Sequence, residues 1–331
     1  MKYFLGIDGG GSETRAVVVD DTLQVIGRGS SGASNHYVTG AALAAEHCRL
    51  AADAALLDAT RLEPRLKRDA VVAWGFGLAG VRRPGDVALM HPQLEALVSG
   101  RPWILDTDVA AAHSGAFGGR TGIVLSAGTG SICFGRDDAG ERFYSDGWGP
   151  LLGDEGSGYW LGMEALRAVC RAADGRGPRT RLTANVFDAL NIADVDQLVP
   201  LIYSPDFPRE QMSRLAQLVF NGAENGDQVA IEIRERAVMH LGSAAAAVTR
   251  AMLGRVRERA GLNAPSAQEV LVTLRGGLFD DDFFRASVGY NIGERMIEMK
   301  RDFLPVSAWH IVKPQFDAAV GAALLAQKLV A

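Results

Sequence analysis

Two glycine-rich turns are the residues of this chain best suited to bind an anion. The first, Gly9-Gly10-Gly11-Ser12, follows the apolar run Tyr3–Ile7 and precedes a second apolar run. The second, Ser126-Ala-Gly-Thr-Gly-Ser131, also lies between two apolar runs. Successive backbone N–H groups in a glycine turn form a concave site, and phosphate oxygens can approach it because no side chain stands in the way. One such turn alone is more often a plain hairpin, whereas two in matched positions favour a clamp on a polyphosphate.

Polar side chains beside the first turn could extend this chemistry. Ser12 and Thr14 could add hydroxyl donors, and Asp8, at the end of the preceding strand, could hold Mg²⁺ through water. The turn is not a Walker A loop, because no Gly-Lys-Ser/Thr follows it.

Acidic residues gather at two further places. Asp106-Thr107-Asp108 ends an apolar strand and precedes a helix, where an aspartate can accept a proton from a substrate hydroxyl or cap the helix. These two interpretations stay open on the residues alone. The run Asp146 to Ser157 holds several glycines with Asp154 and Glu155, and its carboxylates could each accept two hydrogen bonds from sugar hydroxyls. Asn35 could contribute an amide in the same way, while a lone His36 is more often structural.

One glycine pattern points away from a dinucleotide site. Gly75-Phe-Gly77-Leu-Ala-Gly80 satisfies the G-x-G-x-x-G spacing after a strand. In a dinucleotide site a helix begins at that loop, whereas here Pro84 fits a later helix start. The pattern therefore indicates a glycine corner that lines a cleft.

The elements that must position these residues follow from the periodicity. Strands are predicted at Tyr3–Ile7, Ala16–Val19, Gln24–Gly27, Ala70–Trp74, Trp103–Leu105, Ile123–Leu125, Ile132–Arg136, Arg142–Tyr144 and Glu269–Leu274. Helices are predicted at Asn35–Leu57 (with Thr39 as a possible N-cap), Asp86–Val98 and Phe316–Val330, with a helical layer from Tyr159 to Gly261. A glycine hairpin at the start of each half indicates a diverged internal duplication and a mixed sheet with helices on its faces.

Length and composition limit the function classes. The 331 residues exceed the roughly 250–300 residues of a single core, so two domains are expected. A net charge of −5 argues against a nucleic-acid surface, and the arginines between Arg176 and Arg181 are interpreted as a solvated loop. Three widely spaced cysteines and the absence of a signal-like or membrane-spanning run predict a cytoplasmic protein without a membrane partner.

Taken together, the motifs resemble the N-acetylglucosamine kinase branch of the BadF/BadG/BcrA/BcrD ATPase-like family, within the actin-like/hexokinase superfamily. The resemblance is carried by Asp8-Gly-Gly-Gly-Ser-Glu-Thr14, Ser34-Asn-His36, Gly77-Leu-Ala-Gly80, Asp108, Gly128-Thr-Gly-Ser131 and Gly147-Trp-Gly149 with Gly153-Asp-Glu-Gly-Ser157. It runs in order from residue 1 to about residue 162 and resumes at Gly276-Gly277 and at the closing helix. The segment 176–259 matches only as helical sequence.

The resemblance implies an α/β fold of two ribonuclease-H-like domains, residues 1–112 plus 315–331 and residues 113–314, with a cleft between them for ATP and a sugar. It implies transfer of the γ-phosphoryl group of ATP to the 6-hydroxyl of N-acetylglucosamine, with Mg²⁺, by a homodimer. ATP would contact Gly10, Gly11, Ser12, Thr14, Gly128, Thr129, Gly130, Gly276 and Gly277. Asp108 takes the place of the catalytic base, and Asn35, Gly147 and Asp154 would hold the sugar.

Two departures from the family pattern affect the substrate. Ala79 replaces a hydroxyl residue that touches the sugar in some members, and Asp146 replaces a glycine. A carboxylate at Asp146 could favour the free amino group of glucosamine, or it could point into solvent. Glucosamine kinase is therefore an alternative. Non-sugar ATPases, activator subunits with an iron–sulfur cluster and nucleotide-binding regulators are others, although the three cysteines do not supply the cluster pattern.

Overall fold

The computed structural model describes residues 2–260, 268–301 and 306–330. Its strands are β1 Tyr3–Gly9, β2 Thr14–Asp20, β3 Val25–Ser31, β4 Val71–Leu78, β5 Trp103–Thr107, β6 Gly122–Ala127, β7 Ser131–Arg136, β8 Arg142–Asp146, β9 Gln268–Arg275 and β10 Val306–Ile311. Its helices are α1 His36–Thr39, α2 Ala41–Ala59, α3 Pro84–Val98, α4 Asp108–Phe117, α5 Gly158–Ala173, α6 Leu182–Leu190, α7 Leu198–Ile202, α8 Arg209–Arg214, α9 Ala216–Glu224, α10 Gln228–Ala260, α11 Asp282–Arg301 and α12 Ala318–Gln327.

The chain divides into two compact units. The first comprises Met1–Val124, Arg136–Glu141 and Lys313–Ala331, and the second comprises Leu125–Gly135 and Arg142–Val312. Two five-stranded sheets have the orders β3-β2-β1-β4-β5 and β10-β9-β6-β7-β8. Read from its other edge, the second order repeats the first, with β8, β7, β6, β9 and β10 in the places of β3, β2, β1, β4 and β5. This shared order is what the predicted internal duplication requires.

The sheet of the first unit is mixed, as predicted. β1 and β3 both run antiparallel to β2, whereas β4 is parallel to β1 and β5 is parallel to β4. Since β1, β4 and β5 are parallel, their carboxyl ends meet at one edge of the sheet. The apolar residues of β1 are buried on both faces: Leu5 packs in the cluster that holds α2, and Phe4 packs in the cluster that holds α12.

Glycine and alanine control how closely the helices of the first unit approach its sheet. A Cβ added at Gly6 would lie 2.0 Å from the carbonyl oxygen of Ala319 in α12, and one at Gly27 would lie 2.3 Å from that of Ala55 in α2. These strand positions therefore exclude any side chain. The Ala-rich composition of α2 and α12 follows from this contact, because small residues on both sides let the backbones pack to the density of a protein core.

The second unit carries the predicted helical layer. α5 to α9 are followed by α10, a helix of 33 residues. The predicted end of this layer at Gly261 lies outside the described residues. β9 contains the predicted strand Glu269–Leu274, and it pairs in parallel with β10, a strand that the sequence pattern missed.

One helix prediction is wrong. The pattern from Asn35 to Leu57 predicts a single helix, whereas the structure breaks it at Gly40, whose φ is +78°. Gly40 ends α1 and also occupies the N-cap position of α2, so Thr39 is not an N-cap. The side chain of Asn35 accepts a hydrogen bond from the N–H of Tyr37 (3.0 Å) and starts α1, and the non-helical backbone of Gly40 ends it four residues later.

The remaining boundaries shift by a few residues for local reasons. α12 begins at Ala318 rather than at Phe316, because the carboxylate of Asp317 accepts the N–H of Val320 at 2.9 Å and caps the helix. Within the described ranges, no helix combines the length and the apolarity that crossing a bilayer requires.

Candidate active site

The first glycine turn connects β1 to β2 at the carboxyl edge of the first sheet. The N–H of Gly10 donates to the carbonyl of Glu13 at 2.9 Å, and the carbonyl of Gly10 accepts the N–H groups of Ser34 and Asn35, both at 3.0 Å. A Cβ added at Gly11 would meet no heavy atom within 4 Å. The turn is thus fixed at Gly10 and open at Gly11, which is the shape that a phosphate-binding turn needs.

Thr14 lies beneath this turn instead of on its open side. Its side chain is fully buried, and its hydroxyl donates to the carbonyl of Gly32 at 2.6 Å and lies 2.8 Å from the hydroxyl of Ser34. A Cβ added at Gly9 would fall 1.9 Å from that same Ser34 oxygen. Thr14 and Ser34 therefore support the turn from below, while Ser12 is exposed on it.

Two aspartates flank a glycine on one face of the first sheet. Asp8 of β1 is in register with Gly77 of β4, and Gly77 is in register with Asp106 of β5. Register partners in a parallel sheet point to the same face, so both carboxylates lie on the face of Gly77. A Cβ at Gly77 would lie 2.3 Å from the Cβ of Ala111 in α4, which places this face against α4.

Asp108 is the first residue of α4 and is not its cap. The cap is Thr107, whose hydroxyl oxygen accepts the N–H of Ala110 at 3.2 Å. The buried carboxylate of Asp106 accepts the N–H of Thr107 at 2.8 Å. The sequence left two roles open for an aspartate at this position, a helix cap or a proton acceptor. Since Thr107 caps α4, the first of these roles is already filled.

Asn35 and Ala79 lie at the same edge of the sheet. The N–H of Ala79 donates to the carbonyl of Gly9 at 2.8 Å. The next residue, Gly80, has a φ of +89°, and a Cβ there would lie 2.8 Å from the amide oxygen of Asn35. The corner that follows β4 therefore packs against both the first turn and α1, and only glycine fits at position 80.

Asp86 is a buried anchor for α1 that sequence reasoning missed. Its Oδ1 accepts the hydroxyl of Tyr37 at 2.6 Å and lies 3.4 Å from Nε2 of His36, and its Oδ2 accepts the N–H of Arg83 at 3.1 Å. The bond to Asp86 and burial raise the pKa of Tyr37. The sequence signal for Asp86 is only that of a helix start after Pro84.

The second glycine turn lies in the second unit, between β6 and β7. The N–H of Gly128 donates to the carbonyl of Gly130 at 2.9 Å, and α5 donates the N–H of Gly158 to Gly128 (2.8 Å) and that of Tyr159 to Thr129 (3.1 Å). A Cβ at Gly128 would meet no heavy atom within 4 Å. This turn is therefore fixed by the start of α5 and open at Gly128, as the first turn is at Gly11.

Asp154 lies directly against this second turn. A Cβ at Gly130 would fall 2.7 Å from its Oδ2, and the N–H of Gly149 donates to its Oδ1 at 3.3 Å. Burial, and then the charge of Asp146, raise the pKa of Asp154 to about 6. Its backbone has a φ of +55°, which a non-glycine residue adopts only where the surroundings enforce it.

Asp146 organises the loop that carries Asp154. Its Oδ1 accepts the N–H of Asp154 at 2.8 Å, and its Oδ2 accepts the N–H of Glu155 at 3.0 Å and the hydroxyl of Ser131 at 2.8 Å. The carboxylate therefore points into the loop and not into solvent. The expectation that it recognises a free amino group gains no support from this position.

Three glycines complete the second unit's share of the predicted site. Gly147 has a φ of +70°, and a Cβ there would lie 2.6 Å from the side chain of Ile132. Gly276, after β9, has a φ of +108°, and a Cβ there would lie 2.2 Å from the carbonyl oxygen of Ala127. Gly276 therefore packs against Ala127, the last residue of β6, which also belongs to the second turn. A Cβ added at Gly277 would lie 3.9 Å from Oδ2 of Asp280.

Comparison with known proteins identifies the family. The sequence profile of the BadF/BadG/BcrA/BcrD ATPase family matches residues 5–326. The chain belongs to this family.

Three known proteins are similar to this chain over more than nine tenths of its length. N-acetylmuramic acid/N-acetylglucosamine kinase from Clostridium acetobutylicum is 28% identical over 308 residues, covering 91% of this chain and 95% of that protein. Glucosamine kinase from Vibrio cholerae is 29% identical over 332 residues, covering 99% and 97%. The crystal structure of a Chromobacterium violaceum protein, provisionally named N-acetylglucosamine kinase, superposes with a TM-score of 0.71 at 28% identity and covers 98% of this chain and 99% of that one. The predicted α/β fold of actin-like ATPases is thereby confirmed.

The carboxylates near the first turn suit a cation that takes the rest of its oxygen ligands from water and from the substrate. Among the described residues, no group of three or more His, Cys, Asp or Glu side chains is placed to hold a metal ion. Asp8 lies at the end of β1 next to the open first turn, and Asp106 lies on the same face of the sheet two strands away. Mg²⁺ fits such a site, because it keeps several waters and takes further oxygens from substrate phosphates.

Two of the three cysteines of this family member, Cys48 and Cys133, lie in environments that suppress thiolate formation. Cys48 and Cys133 are fully buried, Cys170 is half-buried, and all three are free thiols. Burial raises the pKa of Cys48 to about 12 and raises that of Cys133 as well. Since metals bind the thiolate, these two side chains are poor ligands for an iron–sulfur cluster.

Proposed function

We propose that this chain is an ATP-dependent kinase that transfers the γ-phosphoryl group of ATP to the 6-hydroxyl of N-acetylglucosamine. The observation that carries this proposal is the position of Asp108, at the sheet edge that also holds the open first turn and Asn35. A carboxylate, an anion-binding turn and an amide at one edge supply a base, a phosphate site and a hydroxyl partner. The relatives named as amino-sugar kinases support this assignment.

Asp108 is the base in the proposed reaction. Because Thr107 caps α4, the carboxylate of Asp108 is not needed for the helix start. It accepts the proton of the sugar 6-hydroxyl while that oxygen bonds to the γ-phosphorus and the bond from the γ-phosphorus to the bridging oxygen breaks. ADP is the leaving group. Such a transfer depends on positioning and charge neutralisation more than on covalent help from the protein.

The two turns would hold the phosphates through backbone N–H groups. Gly10, Gly11 and Ser12 serve this purpose in the first unit, and Gly128, Thr129 and Gly130 serve it in the second. Thr14 supports the first turn from beneath through Gly32 and Ser34. Asp8 would hold Mg²⁺ through water, and when bound the ion supplies neutralisation of phosphate charge. Gly276 and Gly277 would face the adenosine.

Asn35, Gly147 and Asp154 are proposed to hold the sugar. Asp154 is suited to accept hydrogen bonds from sugar hydroxyls once it is ionised, above a pH of about 6. Ala79 would contribute only an apolar contact at the corner after β4.

Glucosamine is the second candidate substrate, because the Vibrio cholerae relative that acts on it aligns along 99% of this chain. An assay of ADP release with N-acetylglucosamine, glucosamine, N-acetylmannosamine and glucose separates the candidates. We expect the highest kcat/KM with N-acetylglucosamine and no release with 6-deoxy-N-acetylglucosamine, which lacks the acceptor oxygen. ATP hydrolysis that is indifferent to every sugar would instead identify a non-sugar ATPase.

Three further features are part of the proposal. A requirement for Mg²⁺ is tested by adding chelator during turnover, and a homodimer by light scattering of the purified chain. A reducing compartment, the cytoplasm, is proposed because the three cysteines are free thiols.

A further inference from the structure

The second unit contains a cavity of about 360 Å³ between α5 and α7, lined by residues other than the proposed site residues. Met163 and Leu166 line it from α5, and Leu198 and Ile202 line it from α7. Leu166 and Leu198 are almost fully buried, so the floor of the cavity is part of the packed core. A volume of this size lies in the range of small-molecule sites, about 300–1,000 Å³.

Three arginines also line this cavity, and they differ in their partners. Arg167 pairs with Glu164 at 2.7 Å, and Arg176 pairs with Asp174 at 2.6 Å. Arg171 makes no ion pair with any residue in the described parts of the chain. The lining contains no carboxylate among the described residues. One guanidinium thus lacks a counter-charge beside an apolar floor.

We propose that this cavity binds a small amphipathic anion, with its apolar body between α5 and α7 and its carboxylate or phosphate on Arg171. A guanidinium binds such oxygens in a planar, two-pronged geometry, and the apolar floor removes the body of the ligand from water. Together these two features select a molecule with both parts over either part alone.

A second copy of the chain is a poorer occupant of the cavity. In a two-fold contact, the same patch faces itself. Arg171 would then lie near Arg171 of the other copy, and two guanidinium groups that both lack a counter-charge repel each other, whereas Arg167 and Arg176 are already neutralised by Glu164 and Asp174. A small anion would instead be attracted, because it supplies the negative counter-charge that Arg171 lacks.

Cys170 provides a reporter inside the cavity. It lines the cavity and is half-buried, whereas Cys48 and Cys133 are fully buried. Iodoacetamide should therefore modify Cys170 first, and an occupant should slow this reaction. Mass spectrometry of the intact chain and of its peptides assigns the rate to each cysteine.

The test uses decanoate, below its micelle concentration, as the probe, with decanol and inorganic phosphate as the two half-probes. We expect saturable one-to-one binding of decanoate by calorimetry, at least tenfold tighter than either half-probe, and slower alkylation of Cys170. Arg171→Gln should weaken decanoate by about 10-fold to 100-fold, since a charge-assisted hydrogen bond is lost. Val199→Glu, at an exposed lining residue, should weaken it through a carboxylate that competes for the guanidinium.

Arg179→Gln is the matched control, because Arg179 is exposed nearby and does not line the cavity. It should leave decanoate binding unchanged, and melting curves should show all three variants folded. Equal binding of decanoate and decanol, or an unchanged affinity in Arg171→Gln, would overturn the proposal. So would a dimer that Val199→Glu dissociates, since a second copy would then cover this face.

Discussion

The carboxylate of Asp146 accepts the backbone N–H of Asp154 at 2.8 Å, and both residues have left-handed backbones, with φ of +63° and +55°. Two acidic residues are thereby held close together beside the second glycine turn. The negative charge of Asp146 adds to burial in raising the pKa of Asp154 to about 6. The conformation of this loop is therefore coupled to the protonation of Asp154, the carboxylate that we propose binds the sugar.

The first prediction concerns the pH dependence of stability at Asp154. Its carboxyl titrates near 3.8 when unfolded and near 6 when folded, so between these values the folded chain binds more protons. The contribution of this group to the free energy of unfolding therefore falls as pH rises from about 4 to about 6. Above pH 6 the full penalty remains, about 2 to 3 kcal/mol.

Asp154→Asn should remove that penalty. We expect the variant to equal the parent in stability near pH 4 and to exceed it by up to about 2 kcal/mol at pH 7.5. Urea unfolding at the two pH values measures the difference, with the exposed Asp188→Asn as control. The same substitution should raise KM for the sugar, and kcat/KM of the parent should fall below pH 6. A stability difference that is the same at both pH values would contradict the assigned pKa.

The second prediction separates a structural role of Asp146 from amine recognition. Asp146→Ala leaves the N–H groups of Asp154 and Glu155 without their acceptor, at a cost of at least about 1 kcal/mol, while the Ser131 hydroxyl keeps the carbonyl of Glu155 at 3.0 Å. The variant should raise KM for the sugar tenfold or more. Asp146→Asn keeps one acceptor oxygen and tolerates the left-handed backbone, so it should change KM less than threefold. The ratio of kcat/KM for glucosamine and N-acetylglucosamine should stay constant in Asp146→Asn. A large change in that ratio would contradict the structural role and indicate that Asp146 contacts the amino group of the sugar directly.

The third prediction addresses the proposed base. Asp108→Asn should lower kcat by about 10²- to 10⁴-fold, since the amide cannot accept the proton of the hydroxyl. ATP affinity, measured by calorimetry, should change little, and Asp21→Asn at an exposed position should be fully active. If the turnover of Asp108→Asn were near that of the parent, Asp108 could not be the base.

The fourth prediction uses one substitution at three glycines. The methyl group of Gly11→Ala meets open space, so the free energy of unfolding should not change. The same methyl group should obstruct the phosphate and raise KM for ATP. Gly6→Ala would place its Cβ 2.0 Å from the carbonyl oxygen of Ala319 and should cost about 1–3 kcal/mol or more. Gly85→Ala in α3 also meets open space and should be neutral or slightly stabilising. Thermal unfolding and ATP kinetics together should give this three-way pattern; a loss of stability in Gly11→Ala would mean that the turn is packed.

The fifth prediction tests Asp86 as the anchor of Asn35. Asp86→Ala removes the acceptor of the Tyr37 hydroxyl and should raise KM for the sugar several-fold more than it lowers kcat, because α1 loses its support. Tyr37→Phe removes one bond only and should show a smaller change in the same direction. Equal losses of kcat and kcat/KM would place Asp86 in the chemical step instead.

The sequence predicted those parts of the fold that local pattern controls. The apolar runs located β1, β4 and β5, and the glycine hairpins and strand–helix units indicated a mixed sheet. The parallel pairing that brings Asp8, the first turn and Asp108 to one edge was found only in the structure. The repeated glycine hairpins correctly indicated two sheets of related topology. These features depend on neighbours along the chain, so one sequence suffices to find them.

Residues whose roles depend on distant partners could not be placed from the sequence. Thr14 resembles a phosphate ligand by type and spacing, yet Ser34, twenty positions away, takes its side chain inward. Asp146 looked like a substitution at the substrate, whereas its carboxylate ties down Asp154 and Glu155. Asp86 gives no signal beyond a helix start, because its partner Tyr37 lies in another helix.

The packing of α12 on the first sheet has a consequence for how the protein is made. Phe4, Val17, Val19 and Ala73 are covered by a helix that the ribosome synthesises after every residue of the second unit. A nascent chain must therefore carry this apolar sheet face uncovered while the whole second unit is synthesised. The first unit can complete its fold only after α12 has been synthesised, and until then its uncovered strands are open to aggregation.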